Sequence, residues 1–375
     1  MTKTVLILGG SYAGLHIAHH LLKHPPTSDL KVILVSKNSH FYWNLASVRA
    51  VVPESPLQAT QLFAPLTTIL SRYPSDSYEL VIGTATSSDL ALRTVTLDNH
   101  RTIPYDHLVI ATGARTASAS HSTPWKADGS YEEVLDLLHS LADRVSAASH
   151  IVVAGAGATG CELAAELAFD NPHRQTRKEI VLLSADAEVL GADSIAASVR
   201  SELAKLRVQV RTGARVDSVR EVDGGKTEVV LAGGGGETIV TDLYLPTMGL
   251  VPNTEFVEAR FKDERGRVLV DEFLGVKGAE GVWAAGDAVG RPRCGFLITQ
   301  KQAAGVAKNV EAALKDKPPT VVKGMPFDIF TCATGRSRAA GRMGAVKMLS
   351  IMAWMGKGRT LGLNYMAGYV DGSVA

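Results

Sequence analysis

Two glycine-rich turns carry the residue types and spacings with the clearest chemistry in this chain. They are VLILGGSYAG, Val5 to Gly14, and IVVAGAGATG, Ile151 to Gly160. Each follows an apolar, β-branched run and precedes an alanine- and leucine-rich helical pattern, the context in which a turn holds a dinucleotide pyrophosphate. In the first turn Gly9 permits the tight bend and Gly14 lets the helix lie close to the strand, with Gly10, Ser11, Tyr12 and Ala13 between them. Backbone N–H groups at the helix start, aided by the helix dipole, would face the phosphates. In the second, Gly155, Gly157 and Gly160 complete the spacing, with Thr159 before the last glycine. Two such turns in one chain imply two dinucleotides and electrons passing between them.

Both turns depart from the usual fingerprint. Ser11 replaces the middle glycine of the first. The acidic residue expected where the next strand ends is absent there, where Ser36 and Lys37 stand, so ribose binding must use a hydroxyl or the backbone. The second unit has Ser184-Ala185-Asp186 at the matching place and no adjacent arginine for a 2′-phosphate, which leaves NADH and NADPH both open.

The elements that must position these turns are readable from periodicity. Strands are expected at Lys3–Leu8 and Lys31–Val35 around a helix from Ala13 to Lys23, and at Ile151–Ala154 and Ile180–Ser184 around a helix from Cys161 to Ala168. Residues 40–75 read as helical or irregular. Tyr78 to Ala111 and Val208 to Leu245 read as β-meanders, the first ending in a return strand at His107–Ala111. The run Gly233–Gly236 is expected to be a hairpin turn, since no helix or lysine follows it. Residues 114–128 read as a connection, and helices are expected at Tyr131–Val145, about Ile298–Leu314 and Val346–Met355. The fold class is therefore α/β, with two Rossmann-like nucleotide-binding domains, one inserted in the other, plus a small C-terminal segment. The domains are expected at 1–118 with 253–325, at 119–252, and at 326–375.

Bulk properties narrow the function. A chain of 375 residues needs more than one ordinary core. Its 39 basic and 38 acidic residues balance without a basic block, which argues against nucleic-acid binding. Cys161, Cys294 and Cys332 are far apart and form no CxxC, which argues against a disulfide framework and a zinc site and points to a reducing compartment. A strand beginning by Thr4 leaves no room for a signal peptide, and no stretch reaches membrane-spanning length. A cytoplasmic location is expected, with a peripheral intracellular-membrane contact as the alternative. His16, His19 and His20 sit at helical spacing without a glutamate that would make HExxH, so they are expected to face solvent rather than hold a metal.

The ordered set GGSYAG, LVIATGAR (Leu108–Arg115), GAGATGCELAAEL (Gly155–Leu167), MGLVPNT (Met248–Thr254) and VWAAGDAVG (Val282–Gly290) resembles the FAD-dependent pyridine nucleotide oxidoreductases of glutathione-reductase-type fold, over about residues 1–315. The resemblance implies FAD on the first turn and NADH or NADPH on the second. It places Ala111, Thr112 and Gly113 near the flavin, Asp287 after Gly286 on the ribityl chain, and Ala85 and Gly249 among the cofactor-binding residues. Asp287 is expected to precede a helix whose N-terminus points at the flavin. Asn38 to Val52 lacks the cysteine pair of the disulfide reductases, and FYWNLASVR (Phe41–Arg49) is similar instead to the apoptosis-inducing-factor-homologue (AMID-like, ferroptosis-suppressor-like) branch, which reduces quinones.

That branch implies hydride transfer from NAD(P)H to FAD and onward transfer to a small electron acceptor, a quinone. Glu162 is the candidate to orient the nicotinamide. Lys301, with Gln300 and Gln302, is the candidate to line the acceptor pocket. Asn44 and Arg49 are candidates for the flavin or its phosphates, with an interdomain ion pair as the other reading of Arg49. Phe41, Tyr42 and Trp43 are expected in the core or pocket wall. VKMLSIMAWMGKGR, 346–359, is expected to pack against the FAD domain or a dimer interface, a membrane surface being the alternative. A flavoprotein tailoring enzyme of a biosynthetic pathway and a redox-sensing, DNA-binding death effector are the rival functions. The oligomeric state stays open.

Overall fold

The computed structural model describes residues 2–53, 55–117, 123–169, 178–233 and 236–375. The chain opens with β1 (Lys3–Leu8), α1 (Tyr12–Lys23) and β2 (Leu30–Ser36). After them come β3 (His40–Tyr42), the single turn α2 (Ser47–Ala50), β4 (Phe63–Pro65) and α3 (Leu66–Leu70). Then follow β5 (Tyr78–Ile82), β6 (Ala85–Asp89), β7 (Thr94–Leu97), β8 (Thr102–Pro104), β9 (His107–Ile110) and β10 (Ala114–Thr116). The middle of the chain holds α4 (Tyr131–Ala147), β11 (His150–Ala154), α5 (Ala158–Phe169), β12 (Glu179–Leu183), α6 (Ala196–Lys205) and β13 (Gln209–Arg211). β14 (Val216–Val222), β15 (Lys226–Leu231), β16 (Thr238–Thr241), β17 (Leu243–Pro246) and β18 (Leu250–Pro252) complete it.

Two parallel sheets carry the two glycine turns. One has the order β19-β9-β1-β2-β5, where β19 is Val282–Ala284, and the other β13-β12-β11-β17. Their central strands are apolar on both faces, as buried parallel strands must be: Val5, Leu6, Ile7 and Ile151, Val152, Val153 have no exposure. Strand β19 lies far along the chain yet pairs with β9, so the first sheet closes only after the second has been built. Antiparallel β10 and β18 pair Ala114 with Pro252 where the chain leaves the first sheet and returns to it. The expected crossing near 118–119 lies outside the described residues.

Several expectations shift. Tyr78–Ile82 and Gln209–Arg211 are outer strands of the parallel sheets, not meander strands, as is Leu243–Pro246. The true meanders are β6-β7-β8 and β14-β15-β16. Short strands flanked by turns read alike in either setting, and only the parallel partner separates them. The run Gly233–Gly236 joins β15 to β16 as expected, though Gly234 and Gly235 lie outside the described residues. Within 40–75 the small β3–β4 pair was not foreseen.

Helix α7 (Phe296–Leu314) packs on α1. The last residues form β20 (Ile329–Ala333), β21 (Ala339–Met343), β22 (Val346–Lys347), α8 (Ser350–Ala353) and α9 (Met366–Asp371). Val346–Met355 is therefore not one helix: it starts as a strand, and four α-helical residues run into a π turn at Trp354–Gly358. Nor do its large apolar side chains pack against the FAD domain. Val346, Leu349, Ile351, Met352 and Met355 are all more than half exposed, and only Ala353 is buried.

The C-terminal segment straps both units. Strands β20–β22 lie by α5 and α6, where Arg342 pairs with Asp193 at 2.8 Å. Helix α9 returns to α1 and α3, with Tyr369 fully buried and stacked on Phe41 at 5.0 Å. Two of the α1 histidines expected in solvent are buried. His19 is fully buried, with Nδ1 2.6 Å from Tyr73 Oη and Nε2 2.7 Å from Tyr369 O. His16 is buried too, and its Nδ1 finds no hydrogen-bond partner among the described residues. His20 pairs with Glu311 of α7 at 2.8 Å.

Candidate active site

The two glycine turns are built alike. A Cβ on Gly14 would stand 1.8 Å from Gly9 O, and one on Gly160 1.8 Å from Gly155 O. In both, the helix start presses on the carbonyl of the first glycine, so only glycine fits. Gly9 and Gly155 have φ of 115° and 103°, the region that favours glycine.

The first turn opens onto a cleft whose empty space, counted out into open solvent, is about 990 Å³. Its walls include Gly9–Ala13, Ser36, Lys37, Asn44, Ala111–Gly113, Gly286 and Asp287, so most of the residues expected on FAD converge here. Ser11, at the N-cap of α1, makes no side-chain cap, which leaves the first-turn N–H groups of the helix available to an acceptor. At the end of β2, Ser36 Oγ donates to Asn38 O at 2.6 Å and Lys37 Nζ to Asp128 O at 2.8 Å. Hydroxyl, amide and backbone groups thus occupy the place of the missing acid. An elongated phosphate-bearing ligand with a ribose fits this donor set: amide N–H groups at the helix start, and small polar groups at the strand end.

Around the cleft, hydrogen bonds tie motif to motif. Tyr12 Oη donates to Asn44 Oδ1 at 2.9 Å, and Asn44 Nδ2 to Trp125 O at 2.6 Å. The Tyr12 ring packs edge-on against Phe41, Trp43, Phe296 and Tyr369, and burial holds its phenol well above its usual pKa. Phe41 and Trp43 lie in the core, and Tyr42 joins the cleft wall. Thr112 Oγ1 donates to Asn253 O at 2.6 Å, and Asn253 Nδ2 returns a bond to Thr112 O at 3.1 Å.

Asp287 lies in a single 3-10 turn, Gly286–Ala288, and the long helix α7 begins only at Phe296. Its carboxylate accepts from Lys126 Nζ, and both residues line the cleft. Gly286 N donates to Gln302 Oε1 at 2.8 Å, so the buried Gln302 anchors this turn rather than an acceptor pocket. Lys301, next to it, faces solvent and does not line the cleft. Lys126, Thr299 and Asp128 belong to the wall and were not foreseen. Lys126 lies in a Ser-, Thr- and Ala-rich connection that gives no periodic signal.

Some expected residues stand elsewhere. Arg49 lies outside the cleft and makes the interdomain ion pair: its Nε and Nη2 donate to Glu166 of α5 at 3.0 and 2.7 Å, and the guanidinium also reaches Arg359 O and Gly358 O. Ala85 pairs with Leu97 in the meander, away from the cleft. Gly249 sits between β17 and β18, where its carbonyl accepts from Ala117 N at 2.9 Å.

At the second turn, a Cβ on Gly157 would meet nothing within 4 Å, so its backbone is open to approach. Ser184 is buried and donates to Glu188 O at 3.1 Å, while Glu188 pairs with Arg200 at 3.2 Å. An arginine therefore does stand near this strand end, brought there by α6. Glu162 is 4% exposed. It accepts from Ala333 N at 3.0 Å and pairs with Lys357 Nζ at 2.5 Å, so the C-terminal segment covers it.

The fold and the paired turns define a two-dinucleotide oxidoreductase. The pyridine nucleotide-disulphide oxidoreductase family matches residues 3–315, and the chain belongs to it. It is an FAD- and NAD(P)H-dependent enzyme of the kind the motifs implied. Oxidoreductase ptaL of Pestalotiopsis fici is 37% identical, over 99% of this chain and 100% of that protein. Oxidoreductase phnG of Penicillium herquei is 29% identical, over 95% and 93%. Ferroptosis suppressor protein 1 of Homo sapiens is 25% identical over 95% and 93%, in line with the branch resemblance. In fold, the sulfide:quinone oxidoreductase of Aquifex aeolicus superposes with a TM-score of 0.80 at 17% identity, covering 100% of this chain and 93% of that one.

Proposed function

We propose that the enzyme takes hydride from NADH or NADPH onto FAD and delivers the electrons to a small quinone-like acceptor. The observation that carries this reading is the pair of equivalent glycine turns, each opening a helix on its own parallel sheet. In this reading residues 1–118 and 253–325 hold FAD, and 119–252 hold the nicotinamide nucleotide. When bound, FAD supplies the two-electron chemistry that joins donor to acceptor.

The protein's part is placement. The α1 amides and Ser11 receive a pyrophosphate; Ser36 and Lys37 meet a ribose; Lys126 and Asp287 contribute a charged pair at the ribityl end of the cleft. Gly155, Gly157, Thr159 and Gly160 receive the second pyrophosphate. Glu162 orients the nicotinamide once Lys357 yields it. Alignment of donor against cofactor is largely an entropic advantage, which fits a site with few reactive side chains.

A quinone is favoured over a dithiol because the branch-like segment Phe41–Arg49 carries no cysteine. Exposed Val346, Leu349, Ile351, Met352 and Met355, close in sequence to Lys347, Lys357 and Arg359, suit a peripheral lipid contact from which an apolar acceptor is drawn. Among the described residues no helix is long and apolar enough to cross a membrane. The test is steady-state oxidation of NADH and NADPH with a soluble short-chain quinone. Turnover that depends on the quinone supports the reading. Flavin reduction with no turnover on any quinone contradicts the acceptor and favours a tailoring enzyme acting on another substrate.

A further inference from the structure

Cys161 and Cys332 are distant in sequence, yet the fold sets them side by side. Both are fully buried free thiols. Cys161 Sγ donates to Ala156 O at 3.4 Å; Cys332 Sγ lies 3.7 Å from Ala333 O and 4.0 Å from Ala158 O, so both sulfurs lie by the second glycine turn. Their chain neighbours meet as well, through Ala333 N and Glu162 Oε1. The two thiols are near enough to influence one another, and Cys161 together with burial raises the Cys332 thiol well above its usual pKa.

We propose that Cys161 and Cys332 are an oxidation site, forming a disulfide that staples the C-terminal segment to the helix of the second glycine turn, with hydrogen peroxide as oxidant. One thiolate attacks peroxide and becomes a sulfenic acid, releasing hydroxide. The partner thiol then displaces water and the S–S bond forms. Overall, two thiols and one peroxide give one disulfide and two waters; sulfur is oxidised and peroxide oxygen is reduced. With the segment closed, the raised Cys332 thiol is protected, since the thiolate is the nucleophile. Attack begins when the segment opens locally and admits water, and closure then brings the partner thiol to the sulfenic acid.

The consequence for activity rests on the proposed function. Glu162 is covered by Ala333 N and Lys357 Nζ, both from the segment that the staple would hold down. If a nicotinamide must reach Glu162, the staple slows it. Cys294 lies apart from this chemistry: it faces Asp287, and burial first, with that carboxylate, pushes its thiol up to about 12.

The test treats the full-chain flavoprotein with hydrogen peroxide, alkylates remaining thiols under denaturing conditions, and maps peptides without reduction. The expected product is one intramolecular peptide pair joined through Cys161 and Cys332, lighter by two hydrogens, with Cys294 alkylated. Recovery of Cys161 and Cys332 both as alkylated thiols, or links only between molecules, would overturn the proposal. In the same samples, flavin reduction by NADH should become roughly tenfold slower, as expected when a tether shifts an opening equilibrium by that factor. Dithiothreitol should restore the rate, and peroxide should leave Cys332→Ala unchanged. If no nucleotide reduces the flavin even before oxidation, the hydride reading fails, while the peptide map still decides the disulfide.

Discussion

Glu162 shows how much a single residue's role depends on what lies over it. Its position two residues past Gly160 is plain in the chain, but its partner Lys357 comes from a segment with no motif in common. Replacing Lys357 by Met leaves a buried carboxylate without its cation and should destabilise the fold by about 3 kcal/mol, read as a lower urea midpoint; Glu162→Gln in the same background should recover much of the loss. The glycines allow a sharper test. Gly14→Ala and Gly160→Ala both force a Cβ onto a carbonyl oxygen, a clash expected to cost about 3 kcal/mol or more. Gly14→Ala should lose flavin absorbance, whereas Gly160→Ala should keep flavin and lose its response to NAD(P)H. The opposite pattern would mean that the assignment of the two turns is reversed. His16 adds a pH dependence. Burial, then the nearby His20 and His19, lower its pKa to about 4 from 6.5. Between those values the unfolded chain binds a proton that the folded chain refuses. Its contribution is therefore present above pH 6.5 and is lost as pH falls toward 4, by up to about 1.4 kcal/mol per pH unit. Urea midpoints at pH 7 and pH 5 should differ accordingly, and His16→Gln should flatten that slope.

At the scale of elements, α5 is where the structure concentrates its ties. Its third turn carries Glu166, fully buried and clamped by Arg49 of α2, which also caps the carbonyls of Gly358 and Arg359. Arg49→Leu should destabilise the protein by about 4 kcal/mol in urea unfolding, because a buried carboxylate loses a bidentate partner. Glu166→Leu combined with Arg49→Leu should cost less than Arg49→Leu alone. Elements with their own strong period were legible from sequence: β1, α1, β11 and α5 lie within a few residues of expectation, because an apolar run feeding a glycine turn is a local pattern. The outer strands β5, β13 and β17 were not, since a short strand carries no mark of whether its partner is parallel. The helix expected at Val346–Met355 failed for a similar reason: apolar bulk suggested burial, and the chain left that face in solvent.

Across the whole molecule, the fifty residues from 326 to 375 bind both nucleotide units together, through β20–β22 on one side and α9 on the other. This strap is why residues from three distant stretches, Glu162, Ala333 and Lys357, share one site. The cleft itself was largely legible, because its glycines and the Ala111–Gly113 and Gly286–Asp287 turns are motifs. The residues that cross between units were not, because their contacts depend on how the units meet. Arg49 was expected at the cofactor, with an ion pair as its other reading, and Lys301 at the acceptor; the structure commits the first to the ion pair and the second to solvent. Hydride passage between the two dinucleotide sites carries the proposed function. Its most direct measurement is the absorbance of the purified full-chain flavoprotein near 450 nm, roughly the position of oxidised flavin, during anaerobic addition of NADH and then NADPH. At least one nucleotide should bleach this band, and a soluble quinone should restore it. A flavin band that neither nucleotide changes would contradict hydride passage.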